Sequence, residues 1–107
     1  MCGICGIINF NDLHVNEDRL RTMMSKMKHR GPDDEGVFTD GNIGLGFVRL
    51  SIIDLSSAGH QPMFSDDGRY ALIFNGEIFN YIEIREELRK LGYSFKTKTA
   101  KALLFFP

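Results

Sequence analysis

The chain is 107 residues long, 43% hydrophobic and 25% charged, with a formal net charge of −1. That length allows one domain at most, burying roughly two thirds of its unfolded surface. The near-neutral charge, with no run of like sign, does not favour nucleic acid or an anionic membrane surface as a partner. No apolar run approaches the roughly 18 residues that cross a bilayer, and the start lacks the basic region of a signal peptide. The default expectation is a cytoplasmic protein.

A cysteine stands directly behind the initiator methionine in Met1-Cys2-Gly3. A small second residue lets methionine be removed, which would put a thiol and a free α-amine on one residue. The amine's ordinary pKa is about 7.7–8.0 and the thiol's about 8.5, so near neutral pH one can act as base for the other. The bland alternative is an ordinary terminal thiol. Cys2 and Cys5 also form a C-x-x-C, which can mark a metal or redox site. Zinc needs two further ligands, however, and there is no second cysteine pair. His14, His29 and His60 are scattered, and the flanking residues read as a strand rather than a helix N-terminus. No metal site is expected.

In chain order, Ile4 to Phe10 is short, apolar and rich in β-branched residues, which predicts a largely buried strand ended by a turn at Asn11-Asp12. Asn16 is placed as an N-cap, and Leu20, Met23, Met24 and Met27 form the apolar face of a helix. Lys26, Lys28, His29 and Arg30 would fill its last turn, and Gly31-Pro32 would stop it. The charged run Arg30 to Gly36 reads either as a solvated connection or as a mobile lid. Val37 to Thr39 and Ile43 to Ser51 then predict two strands around a turn at Asp40-Gly41-Asn42. Arg49, within the second strand, is most simply an outward-facing surface charge. Turned inward it would need an anionic partner, and its planar fork suits a carboxylate.

Ser56 to Pro62 is loop-like. A hairpin follows, from Met63 to Ser65 and from Tyr70 to Phe74 around Asp66-Asp67-Gly68. Asn75-Gly76 is on spacing alone a tight turn; its amide and backbone N–H could instead form an oxyanion hole. Asn80 with Glu83 resembles a capping box. Tyr81, Ile84, Leu88 and Leu91 make an apolar stripe, Glu86 and Lys90 an i,i+4 pair, and Gly92 the helix end. Tyr93 to Thr97 predicts a strand, and residues 100–107 are apolar without a cap. The order of elements is that of an α+β protein with helices packed on sheets. With no G-x-G-x-x-G or Walker loop, ATP binding by this chain is not expected.

Taken together, Met1-Cys2-Gly3-Ile4-Cys5-Gly6, Arg30-Gly31-Pro32-Asp33, Arg49-Leu50-Ser51-Ile52-Ile53-Asp54, His60-Gln61-Pro62 and Asn75-Gly76-Glu77-Ile78-Phe79-Asn80-Tyr81 resemble the glutamine-hydrolysing domain of asparagine synthetase. That domain is a class II glutamine amidotransferase of the N-terminal-nucleophile hydrolase type. The resemblance covers residues 1–99 and implies a partial four-layer αββα sandwich forming one partial domain over 1–107. It implies L-glutamine as substrate, Cys2 as the nucleophile and Asn75 and Gly76 as the oxyanion hole. Arg49 would hold the substrate carboxylate, with backbone groups of Leu50, Ser51, Ile52 and Ile53 lining the pocket and Glu77 holding the α-amino group. Ammonia would pass to a synthetase domain or subunit absent here, to which ATP and magnesium would belong; this chain would need no cofactor.

At Thr99-Ala100-Lys101-Ala102 the family's Ser-Asp-Thr-Glu element, whose aspartate helps bind the substrate amino group, is not kept. With the early end of the chain, this predicts a truncated or frameshifted copy. An inactive remnant is therefore a competing expectation, and a small Cys-x-x-Cys metal or redox module a third.

Overall fold

A computed structural model describes residues 2–50 and 59–95. Met1, Ser51, Ile52 and Ile53, residues 56–58 of the Ser56 to Pro62 loop, the end of the last predicted strand and the 100–107 tail lie outside the described residues. The chain divides into two compact units, Met1–Asn75 and Gly76–Pro107. The first holds β1 (Gly3–Ile8), α1 (Glu17–Lys26), β2 (Asp34–Asp40), β3 (Ile43–Arg49), β4 (Met63–Phe64) and β5 (Ala71–Leu72); the second holds α2 (Tyr81–Lys90). Among the described residues, two helices and antiparallel sheets make an α+β structure.

In the first unit β1 and β2 both pair antiparallel with a central β3, in the order β1-β3-β2. The register sets Gly3 opposite Val48, Cys5 opposite Gly46 and Ile7 opposite Gly44, while Glu35 faces Val48 and Val37 faces Gly46. Because side chains alternate along a strand, those positions form one face, and α1 packs on it. Leu20, Met24 and Val48 are buried at its centre, with Cys5, Ile7, Met27 and Val37 packed around them. Gly44 and Gly46 let the helix come close: a Cβ on Gly44 would press into Val15 and Leu20, and one on Gly46 into Cys5 and Met24. Burial of a side chain such as Leu20 stabilises the unit by about 1.5–3 kcal/mol.

Asn16 caps α1 as its sequence position predicts, its side chain accepting from the Asp18 N–H at 2.9 Å. The end of the helix differs from expectation. α1 stops at Lys26, and residues 27–30 form turns in which Arg30 N–H donates to Met27 and Gly31 N–H to Lys28. The Gly31-Pro32 stop lay too far along, because those tight turns already consume the residues assigned to the last helical turn. Met23, predicted as core, is 39% exposed on the flank of the helix.

β1 is a half-buried strand rather than a largely buried one. Ile4 and Ile8 point away from α1 and are 44% and 59% exposed. The charged run after α1 is not a lid, since Asp34 to Gly36 belong to β2 and pair with Arg49, Val48 and Phe47. Ahead of them Asp33 N–H donates to the Arg49 carbonyl at 3.0 Å and Pro32 bridges to Arg49. The strand's backbone groups had partners waiting on β3, which charge alone could not reveal.

The second face of the three-stranded sheet carries Phe47 and Arg49, both buried. Gly59, Gln61 and the β4–β5 hairpin lie over part of it, with Phe38 and Phe64 in an edge-to-face pair at 5.2 Å. The hairpin is shorter than predicted. Its strands pair Met63 with Leu72 and Phe64 with Ala71, Ser65 N–H donates to the Tyr70 carbonyl at 3.0 Å, and residues 65–70 close through a hydroxyl and carboxylate network. Ser65 Oγ donates to Asp67 and accepts from Tyr70 N–H, while Asp67 also accepts from Arg69 N–H. Those donors hold the Asp67 carboxyl below its ordinary pKa.

In the second unit α2 lacks the predicted capping box: Asn80 is at the N-cap position but makes no side-chain cap hydrogen bond. Glu86 pairs with Arg89 at 3.0 Å instead of with Lys90, the nearer cation on the same face. Leu88 is buried, but Leu91, expected in the same stripe, is 74% exposed at the C-cap. Gly92 terminates the helix with φ +96°, donating to Arg89 while Tyr93 N–H donates to Leu88, the pairing that satisfies the last carbonyls. Arg85 lies over the Tyr81 and Phe95 rings. Residues 93–95 carry no strand.

Candidate functional site

Cys2 immediately precedes β1, at the end of the sheet where β3 terminates in Arg49. The β1–β3 register pairs Gly3 with Val48, so the next step along each strand brings Cys2 towards Arg49 and Leu50. The Cys2 thiol points at the Leu50 carbonyl oxygen, Sγ to O 3.9 Å. Its own carbonyl accepts from two side chains far away in sequence. Arg30 Nε donates at 3.2 Å from the turn after α1, and Asn75 Nδ2 donates at 3.0 Å from the segment following β5. The second residue of the chain is therefore held by groups 28 and 73 positions away.

Asn75-Gly76, which spacing alone makes a tight turn, does not close a hairpin. Residues 73–75 are irregular, with a bend at Gly76, and the Asn75 side chain reaches Cys2 instead. A primary amide carries two N–H donors, so one bond to the Cys2 carbonyl leaves the other for a ligand.

Arg49, most simply a surface charge in the sequence, is only 6% exposed. It points to the face opposite α1, and its guanidinium lies against Gly59, where a Cβ would collide with Cζ and Nη2. Burying a guanidinium is tolerable only where anions or acceptors meet it, and its fork geometry matches a carboxylate. Gly59 is what makes room for it.

The two cysteines differ in setting. Cys5 faces α1, and burial pushes its thiol above the ordinary pKa; its side chain lies against Gly46. It should therefore stay protonated at neutral pH, and iodoacetamide at pH 7 should modify it more slowly in the folded chain than in the unfolded one, as peptide mass mapping would read. Because the folded state holds this proton more tightly than the unfolded one, the associated stability is intact at neutral pH. It declines as pH rises above the ordinary thiol value. Both cysteines are free thiols. Among the described residues no three His, Cys, Asp or Glu side chains come together as a metal ion would need.

Of the sequence-predicted site residues, the structure brings together Cys2, Asn75 and the Arg49-Leu50 end of β3. Ser51, Ile52 and Ile53 lie outside the described residues. Gly76 and Glu77 belong to the second unit, where Glu77 is exposed ahead of α2. Three side chains were not assigned a role from sequence. Arg30 donates to Cys2, His60 Nδ1 meets Asp34 Oδ2 at 2.6 Å, and the fully buried Gln61 bonds the backbone of Phe74. The available signal was their presence in the compact Arg-Gly-Pro-Asp and His-Gln-Pro stretches.

Comparison with known proteins agrees with the resemblance drawn from the motifs. The chain is 46% identical over 107 residues to asparagine synthetase [glutamine-hydrolyzing] 1 of Bacillus subtilis, covering 97% of this chain and 17% of that protein. It is 44% identical over 105 residues to a putative asparagine synthetase of Methanocaldococcus jannaschii, covering 81% of this chain and 20% of the relative. With the asparagine synthetase of Triphysaria versicolor the identity is 39% over 100 residues, covering 92% and 16%. The chain thus spans about a sixth of the length of the curated relatives it matches. The profile of the glutamine amidotransferase domain family matches residues 1–105, and the chain belongs to that family.

Proposed function

We propose that this chain hydrolyses the side-chain amide of L-glutamine to glutamate and ammonia, with Cys2 as nucleophile once Met1 has been removed. The observation that carries the reading is the Asn75 amide donating to the Cys2 carbonyl at 3.0 Å. It brings the side chain that would serve as oxyanion donor beside the backbone of the residue that would serve as nucleophile. The Cys2 thiol gives its proton to its own α-amine as sulfur bonds to the amide carbon. The carbonyl oxygen takes the negative charge, stabilised by Asn75 and the Gly76 N–H. Collapse of this intermediate breaks the C–N bond, and the protonated α-amine returns the proton to the leaving ammonia. Water then adds to the glutamyl thioester, the C–S bond breaks, and glutamate and the thiol are released.

Arg49 would pair with the substrate α-carboxylate, backbone groups of Leu50, Ser51, Ile52 and Ile53 would line the pocket, and Glu77 would hold the α-amino group. Family membership supports the completed architecture as a four-layer αββα sandwich, with residues 1–107 forming part of one such domain. Ammonia would pass to an ATP- and magnesium-dependent synthetase domain or subunit that amidates aspartate, in keeping with the names of the relatives. The glutaminase chain would itself need no cofactor and would act in the cytoplasm. No described helix is long and apolar enough to cross a membrane.

A glutamine analogue bearing an electrophile in place of the amide tests this reading. It should modify Cys2 alone, only in chain lacking Met1, with free glutamine protecting. Modification at Cys5, or labelling indifferent to Met1, overturns it.

A further inference from the structure

We infer that Gln61 is a positioning residue that sets the Asn75 amide against Cys2, an inference resting on the glutamine-hydrolysis reading above. The β4–β5 register pairs Met63 with Leu72. Continued by two residues, it would set Gln61 opposite Phe74. The backbone ladder does not supply that rung, because the Gln61 backbone carbonyl is turned to Gly36 on β2. The Gln61 side chain takes over that rung. Its Oε1 accepts from Phe74 N–H at 2.6 Å and its Nε2 donates to the Phe74 carbonyl at 3.2 Å. A planar amide thus matches both polar groups of one backbone residue, and Gln61 is fully buried.

The consequence falls on the next residue. The Phe74 carbonyl lies in the peptide plane that joins Phe74 to Asn75, so holding it directs the Asn75 Cα and the course of its side chain. Asn75 Nδ2 then stands 3.0 Å from the Cys2 carbonyl. At its other end Gln61 is seated on β2, where its backbone carbonyl lies against Gly36. The path from the sheet to Asn75 runs through bonded or touching groups within the first unit, and Gln61 never meets substrate in it.

The test uses the whole chain. Gln61→Met keeps the volume and removes both hydrogen bonds. It should lower kcat for glutamine hydrolysis by about tenfold to a hundredfold, the scale of a sub-ångström to 1 Å misplacement, with KM nearly unchanged. Gln61→Glu, which keeps the acceptor for Phe74 N–H, should recover part of the loss and serves if the methionine variant does not fold. In an Asn75→Ala background, Gln61→Met should change kcat by less than about twofold, since its effect passes through Asn75. An equal loss with and without Asn75 overturns the inference. The Asn75 side-chain amide, followed by ¹⁵N NMR, should shift and lose exchange protection in Gln61→Met; an unmoved signal also overturns it. If the parent chain releases no ammonia, the glutamine reading fails, and the NMR result alone decides whether Gln61 sets Asn75.

Discussion

Asn75→Ala is expected to lower kcat for glutamine hydrolysis by about 10²–10³-fold, equivalent to roughly 2.7–4 kcal/mol of barrier, while KM changes little. The expectation follows from where the amide stands. One N–H is held by the Cys2 carbonyl at 3.0 Å; in the proposed mechanism the second would meet the charge that develops on the substrate oxygen during attack. A donor placed this way gains most when the oxygen becomes anionic, so its loss appears in the chemical step rather than in binding. Because the same side chain also steadies Cys2, part of the loss will come from a nucleophile held less firmly. Asn75→Asp distinguishes the contributions, because a carboxylate can neither donate to the Cys2 carbonyl nor tolerate an oxyanion. Its activity should fall below that of alanine. Ammonia release under steady-state conditions is the measurement, and an alanine variant within threefold of the parent would remove Asn75 from the mechanism.

Gly36→Ala should be among the most destabilising single substitutions in the first unit, at about 3 kcal/mol or more, the upper end of the usual cost of overpacking. Gly36 pairs with Phe47 on β3, and its missing side chain faces the Gln61 backbone. A Cβ there would overlap the Gln61 carbonyl oxygen, reach its carbon at 2.9 Å and touch His60 Cε1 at 3.1 Å. The obstacle is backbone rather than the tip of a flexible side chain, so it cannot rotate aside. Either β2 leaves β3 or the His60 to Pro62 stretch lifts from the sheet. In the second case the Gln61 amide leaves Phe74, and activity falls further than stability alone would require. Urea denaturation with the slope unchanged would report the cost. A midpoint within error of the parent would mean that this close approach does not exist in solution.

Part of the fold was legible because local chemistry and tertiary packing agree there. The Asn16 cap, the Leu20–Met24 face of α1, the β2–β3 hairpin and the glycine at the end of α2 all follow from periodicity and turn residues. Readings failed where a partner distant in sequence supplied what local pattern could not. The charged Asp34 to Gly36 stretch became a strand because β3 offered its backbone hydrogen-bond partners. Asn75-Gly76 carried the strongest local signal for a tight turn, yet Asn75 is drawn to a carbonyl at the other end of the unit.

The family, and with it the expectation of a cysteine nucleophile, was determined by the sequence alone: the motifs are short, chemically specific and correctly ordered, and need no coordinates to be read. The arrangement around Cys2 was decided only in three dimensions. That Arg49 is buried rather than exposed depends on Gly59 lying over β3, and that Arg30 and Asn75 converge on one carbonyl depends on the sheet register and on the Gln61 rung. Strand alternation gives every residue of β3 one of two faces, but which face is covered depends on segments separated from it in sequence. Burial and long-range hydrogen bonding are properties of that closure, and no local stretch of residues encodes them.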